Sequence, residues 1–296
     1  MISIVITSYK EPKTIGMAIE QILKNKITEE FELIVCAPDR ETLNVARKYA
    51  KRYKQIKLFK DPGKGKIFAL NLILPKLKGK IIILTDGDVY VSENAINELL
   101  KFFKDPKVGV VTGRPVSLNP KNTIFGYWSH LLCDAGAHLA RLKRAERNEF
   151  IECSGYLWAF RNSIIKNFPR DVAEDTIIPI LFWKEGYKIA YAPKAKVYVK
   201  FPTNLHDFIE QKTRTTKSHE SLQKYPQFKD VPRMKTFKNE FFEGWAAFCY
   251  PKTLKEIVWT LLLFPLRLYI WILTFYQVRI KKVYFTDRWN RVESTK

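Results

Sequence analysis

The sequence predicts an α/β fold: a Rossmann-like, mostly parallel sheet over residues 1–200, then interfacial helices over 201–252 and a membrane-seeking segment over 253–296. Three observations predict it. Short β-branched runs alternate with stretches of helical periodicity through the first part of the chain, the pattern of a sheet with crossover helices. Polar and acidic residues collect where those runs end. Beyond residue 200 basic and aromatic residues interleave, and then a nearly uninterrupted apolar tract runs from Ile257 to Val278.

In chain order, Ile2–Ile6 is the first strand-like run, and Lys13–Asn25 follows with apolar residues at helical spacing. Phe31–Cys36 is the second strand, Glu41–Lys54 the second helix, Ile56–Phe59 the third strand and Ile67–Leu77 the third helix. Lys80–Thr85 and Val108–Thr112 bracket the helix Ala95–Lys104. Runs this short and this apolar suit strands, and the longer stretches place apolar side chains three and four apart. Ligands of such sheets bind outside the carboxyl ends of the strands. Ser8–Glu11, Asp39 and Thr85–Asp88 fall there, so the site is expected at a mouth of the sheet.

The tract Ile257–Val278 contains one charge, Arg267, and one proline, Pro265. At about 1.5 Å per residue it could cross a hydrocarbon layer of roughly 30 Å. Pro265 would kink the helix or split it into two interfacial halves, so crossing, in-plane and buried arrangements all stay open. Ahead of it, the spacing of Phe237, Phe241, Phe242, Trp245 and Phe248 predicts a helix with an aromatic face suited to a membrane interface. Lys252 and Lys255 precede the tract and Arg279, Lys281 and Lys282 follow it, so flanking charge leaves its orientation undecided.

Formal net charge is +21, from 51 Lys and Arg against 30 Asp and Glu, which favours polyanionic partners. An anionic membrane or a phosphorylated substrate fits. Nucleic acid is not an expected partner, because no basic helix stripe, zinc module or RNA-binding signature accompanies the charge. Cys36, Cys133, Cys153 and Cys249 stand far apart and read as isolated thiols of a reducing compartment. Met1 leads straight into a run too short for a signal-peptide core, so the N-terminal part is expected to stay in the cytoplasm.

Asp86-Gly87-Asp88 directly follows the apolar run Ile81–Leu84. Two carboxylates in this arrangement can hold a divalent cation against a diphosphate, or simply form a turn. Glu174 and Asp175 open a helix, where they complement its dipole or supply a general base. His130, Asp134 and His138 recur at helical spacing, as a polar stripe or as metal ligands.

Several segments then occur in a telling order: Val5-Ile6-Thr7-Ser8-Tyr9-Lys10-Glu11, Lys64-Gly65-Lys66 followed by Ala69-Leu70-Asn71, Asp86-Gly87-Asp88, Ser154-Gly155 leading to Phe160-Arg161, and Glu174-Asp175. Together they resemble the inverting family-two glycosyltransferases of GT-A type over roughly residues 1–200. Gln211-Lys212-Thr213-Arg214-Thr215 further resembles the Q-x-x-R-W element of cellulose-synthase-like members. Departures are Thr7 for the usual Pro, Lys10 for the usual Asn, Ala37-Pro38-Asp39 at a strand end that is commonly Asp-rich, and Thr215 for Trp.

The resemblance implies donor contacts from Glu11, Asp39, Lys66, Asp86, Asp88, Gln211 and Arg214, with Mg²⁺ or Mn²⁺ on Asp88 and Asp86. It makes Asp175 the candidate catalytic base. On the acceptor side it implies Gly155 and Glu174; the aromatics of Phe125-Gly126-Tyr127-Trp128 and of Tyr156-Leu157-Trp158 could stack on a sugar face or simply pack, and Trp158 is the favoured acceptor contact because it lies between Gly155 and Asp175. The missing Trp at position 215 favours addition of one sugar over processive synthesis. The expected reaction is transfer, with inversion, from a nucleoside-diphosphate sugar to a lipid-linked acceptor at the cytoplasmic face of the cell membrane. GDP-mannose is the favoured donor by analogy. A polyprenyl-phosphate sugar synthase is the rival reading, and a nucleic-acid-binding protein the remote one.

Overall fold

The computed structural model describes residues 1–287 and 292–295. Its strands are β1 (Ile2–Thr7), β2 (Phe31–Ala37), β3 (Ile56–Lys60), β4 (Ile81–Asp86), β5 (Val89–Val91), β6 (Val108–Ser117), β7 (Leu157–Arg161) and β8 (Lys188–Val199). They form one sheet in the order β3-β2-β1-β4-β7-β6-β8-β5. The half β3-β2-β1-β4 is parallel throughout. β7 enters antiparallel between β4 and β6, β6 and β8 are parallel, and β5 closes the edge antiparallel to β8. The mostly parallel Rossmann-like sheet expected from the sequence is therefore present, with an antiparallel strand at its centre that the run of apolar segments did not reveal.

Ten α-helices flank or follow the sheet among the described residues: α1 (Ile15–Lys24), α2 (Arg40–Ala50), α3 (Lys66–Ile73), α4 (Ala95–Leu100), α5 (Ile124–Leu131), α6 (Leu139–Glu146), α7 (Glu174–Lys184), α8 (Leu205–Glu220), α9 (Phe237–Glu243) and α10 (Leu254–Phe275). Alternate side chains of β1, β2 and β4 serve two cores. Ile4, Ile6, Leu33, Val35 and Ile83 pack with Ile15, Ile19 and Ile22 of α1 and Ile96 and Leu99 of α4. Val5, Ile34, Ile82 and Leu84 pack on the other face with Leu70 and Ile73 of α3 and Ile177 and Ile180 of α7. Each such buried aliphatic side chain contributes roughly 1.5–3 kcal/mol, and burial on both faces explains why the strands read as continuous apolar runs.

A third core joins α5, α8 and α10 through Tyr127, Trp128, Phe208, Leu263 and Ile270. The apolar tract is thus a helix packed along the body that carries the sheet. α10 passes Pro265 without a break, although the proline can donate no bond to the carbonyl four residues earlier. The aromatic segment before it is helical only over Phe237–Glu243 and tightens to 3₁₀ geometry over Gly244–Cys249.

Candidate active site at the mouth of the sheet

β1 and β4 run side by side with Thr7 opposite Asp86, so both strands deliver their last residues to one edge. Thr7 Oγ1 donates to Asp86 Oδ1 at 2.8 Å, and the amide of Gly87 donates to the Thr7 carbonyl at 2.9 Å. Gly87 has to be a glycine: a Cβ there would run into Ser8 Oγ and lie 2.7 Å from Ser8 Cβ. The turn carries the half-buried Asp88 directly beyond it.

Lys66, the first residue of α3, reaches into this edge. Its Nζ stands 2.8 Å from Asp86 Oδ1 and 2.8 Å from Glu174 Oε1. Burial disfavours the lysine charge, but Asp86 and Glu174 outweigh it and hold the ammonium protonated far above its ordinary range. One cation therefore ties the end of β4 to the first turn of α7. Asp175, next in that turn, sits against backbone: a Cβ on Gly155 would come within 3.0 Å of its Oδ2. Its pKa is pushed up to about 6 by burial and by Glu174, against the opposing charges of Lys235 and Lys66. Pro179, four residues on, has no N–H for the Asp175 carbonyl.

Behind Asp175 lies a buried polar cluster. Glu152 Oε1 accepts from the amides of Met234 and Lys235 at 3.1 and 3.3 Å, and Glu152 Oε2 is 3.3 Å from His219 Nδ1. His219 Nε2 is 3.2 Å from Lys235 Nζ, and Ser218 Oγ accepts from the amide of Ala173 at 3.0 Å. Burial and Lys235 push the His219 pKa down to about 3, so the imidazole is neutral and can accept from the lysine. The C-terminal turn of α8 and the 233–235 segment are thereby latched to the start of α7.

At the neighbouring strand ends Asp39 caps α2, accepting from the amide of Thr42 at 2.9 Å and from that of Lys10 at 2.8 Å. Although burial opposes ionisation, these bonds hold its carboxyl below the usual range. The amide of Glu11 donates to Thr42 Oγ1 at 2.8 Å, so Glu11 and Asp39 share one partner. Lys10 adopts φ +55°, a left-handed conformation that Asn takes more readily.

The structure thus brings together Lys66, Asp86, Glu174, Asp175 and Gly155, and places Glu11 and Asp39 in the adjoining loops. Gln211 and Arg214 lie midway along α8, while the contacts of that helix to α7 come from Ser218 and His219. Trp158 is a correction. It is fully buried near the start of β7 and stacks on Phe160 at 5.2 Å, because β7 is an interior strand with helices on both faces, so its ring has no face to offer a sugar. The metal reading of His130, Asp134 and His138 fails on geometry. His130 bonds the Asn119 carbonyl, His138 bonds Tyr191, and Asp134 pairs with Arg114 and Tyr250.

Sequence reasoning missed four residues. Asp61 is buried just past β3, bonding the Gly63 amide at 2.7 Å, and an acid directly after a strand run was a readable signal. Glu152, Lys235 and His219 carried none, since nothing local distinguishes them from surface charges.

Residues 1–218 match the family described as glycosyltransferase like family 2. Among curated relatives, an N-acetylglucosaminyltransferase of Azorhizobium caulinodans is 25% identical over 59% of this chain and 47% of its own length. The poly-beta-1,6-N-acetyl-D-glucosamine synthase of Staphylococcus aureus is 25% identical over 75% of this chain and 55% of its own. The chain spans about half the length of the curated relatives it matches. Among solved structures, the mannosyltransferase PcManGT from Pyrobaculum calidifontis, in complex with GDP-Man and Mn²⁺, superposes with TM-score 0.62 at 18% identity, over 95% of this chain and 85% of that one. That likeness establishes the GT-A fold.

Proposed function

The chain belongs to glycosyltransferase family 2, and from that premise we propose that it transfers a single sugar, with inversion, from a nucleoside-diphosphate donor to a lipid-linked acceptor at the cytoplasmic face of the cell membrane. In this reading residues 1–200 carry the chemistry, 201–252 the interfacial helices and 253–296 the anchor. The observation that carries it is the meeting of Lys66, Asp86 and Glu174 beside Asp175 at the mouth of the sheet.

Asp175 is the base. With its pKa at about 6 it is mostly ionised at neutral pH yet basic enough to take the proton of an acceptor hydroxyl as that oxygen attacks the anomeric carbon, an effect worth roughly 10²–10⁴ in rate. The backbone at Gly155 leaves it room. Lys66 supplies positive charge where the departing diphosphate gathers negative charge. Glu11 and Asp39 serve the nucleoside, and Arg214 and Gln211 approach the diphosphate from α8.

Carboxylate oxygens suit Mg²⁺ or Mn²⁺, and the ammonium already seated on Asp86 marks that carboxylate as a place for positive charge, so Asp86 and Asp88 fit a divalent cation. Asp86 and Asp88 would hold such an ion, and when bound it would supply positive charge against the leaving diphosphate.

Mannose from GDP-mannose is the proposed donor, supported by the bound ligand of the PcManGT structure. The curated relatives favour N-acetylglucosamine as the second reading. The test is a panel of sugar nucleotides offered to the membrane-reconstituted enzyme with lipid extract as acceptor, reading released nucleotide and the product anomer. Turnover with one donor and an inverted anomer supports the proposal. No lipid-dependent release, or a retained anomer, overturns it.

A further inference from the structure

We propose that α10 lies in the plane of one membrane leaflet, with both ends on the side of the catalytic domain. The inference rests on the membrane reading above and decides between arrangements that reading leaves open.

By length and composition the helix could cross: Leu254–Ile280 has a mean hydropathy of 1.8 over its apolar window. Its contacts oppose that. Near its start Thr260 Oγ1 is 2.6 Å from the Tyr127 hydroxyl, and the Trp259 carbonyl accepts from Trp128 Nε1 at 2.6 Å, both partners belonging to α5. In its middle Arg267 is gripped by Glu240 of α9 through two bonds of 2.6 and 2.7 Å. Past its end Arg279 faces Glu220 of α8 at 3.5 Å. The chain then returns to the catalytic core: the Phe285 amide donates to Ser221 Oγ at 2.9 Å, and Asp287 accepts from the amides of Ile67 and Phe68 at the start of α3.

Both ends of the tract are thus tied to the body that carries the sheet. Crossing would place them roughly 30 Å apart on opposite sides of the hydrocarbon, which the contacts at one end or the other could not survive.

The face turned away from the body is apolar along its length. Leu254 is 82% exposed, and Val258, Leu261, Leu268 and Ile272 follow on the same helix. Phe241 and Trp245, 66% and 70% exposed, extend this surface with the aromatic residues that favour the headgroup boundary. The single charge within the tract is turned inward onto Glu240, so the apolar face is uninterrupted.

The occupant is an anionic leaflet on charge grounds. Lys252 precedes the helix, Lys255 stands in its first turn ahead of the apolar tract, and Lys281 and Lys282 follow it, all exposed. With both ends at one surface, all four reach the same anionic headgroups.

The test uses the full chain with Cys249, the exposed native thiol, changed to Ser, and carrying Lys252→Cys or Lys282→Cys. Sealed inverted vesicles from expressing cells are treated with a membrane-impermeant maleimide, with Lys54→Cys as the reference for the catalytic side. Both tract positions should label without detergent as fully as the reference. Labelling of either one only after detergent overturns the in-plane arrangement.

In parallel, flotation of purified protein with anionic vesicles should fall about tenfold or more in the double variant Phe241→Glu, Trp245→Glu, with melting temperature unchanged. Unchanged flotation overturns the assignment of this face to lipid. So does an apolar face covered by a second copy, seen as a stable dimer that ignores vesicles. Glycosyl transfer is read separately as nucleotide release in detergent, so its failure leaves the labelling result standing.

Discussion

Lys66 Nζ and Glu174 Oε1, far apart in the chain, meet at 2.8 Å, and the same ammonium holds Asp86 at 2.8 Å. One lysine joins the strand end assigned to the donor with the helix start assigned to the acceptor. It also occupies a carboxylate oxygen that a cation would need.

Replacing Lys66 by Met should therefore separate two effects. Mn²⁺ binding to the donor-free protein, followed by electron paramagnetic resonance, should tighten as Asp86 is released, while transfer falls by roughly 10² or more as charge on the departing diphosphate goes unbalanced. EDTA should abolish transfer in the unaltered protein, and Asp88→Ala should stay inactive at any metal concentration. Mn²⁺ affinity indifferent to Lys66 would show that the lysine and the cation do not share Asp86.

Asp175→Asn should trade activity for stability. Turnover is expected to fall by roughly 10² or more with donor binding retained. The folded-state pKa of Asp175 is raised to about 6, so its ionised form opposes folding at neutral pH, and this penalty is relieved as pH falls through 6 toward the unfolded value. Removing the charge should stabilise the fold by roughly 1–3 kcal/mol at pH 7.5, seen as a melting temperature several degrees higher, and the gain should shrink toward pH 5. A mutant that melts lower at pH 7.5 contradicts the electrostatic account.

The rate itself should follow the same group. Activity is expected to decline as pH drops through about 6, because the base must be ionised to accept a proton. Lys235 lowers the Asp175 pKa, so Lys235→Met should move that limb to higher pH. A limb unmoved by the substitution would remove Lys235 from the environment of the base.

Gly87→Ala should drive Ser8 away from the β4 end, since the added carbon meets Ser8 Oγ and comes within 2.7 Å of Ser8 Cβ. A stability loss of about 1–3 kcal/mol is expected, with transfer reduced because Asp86 and Asp88 flank the strained turn. Adding Ser8→Gly removes the obstructing side chain and should restore part of the melting temperature. Absence of any rescue would place the strain elsewhere.

Asp287→Ala should destabilise the protein by about 1 kcal/mol, a typical capping contribution. Asp287 accepts from Ile67 at 3.0 Å and Phe68 at 2.8 Å, while Gly65, which precedes the helix, offers no side chain. Melting curves of the full chain check it, and Asp287→Asn, which keeps an acceptor oxygen, should lose less.

Much of the fold was legible because both faces of the sheet are buried. Ile2–Ile6 and Lys80–Thr85 announce strands by composition alone, and their polar ends mark the mouth. β5, β7 and β8 were not among the strands read: β5 spans only Val89–Val91, β7 is short and preceded by a loop, and the apolar run of β8 is broken in the sequence by Pro193 and Lys194. Trp158 was misread for a related reason: its position between Gly155 and Asp175 suggested a ligand, while its place in an interior strand makes it core.

By itself the sequence determined the family, the apolar layers and the acidic residues at strand ends, because these are recorded in local order: periodicity, spacing and the succession of short motifs. Only the tertiary structure decided that Lys66 bridges Asp86 and Glu174, that Lys235, His219 and Glu152 stand behind Asp175, and that both ends of α10 return to one body. Those relationships join residues distant in the chain through charges that have left water together. Whether a buried charge finds its partner depends on how helices pack over the sheet, which the chain's local patterns do not encode.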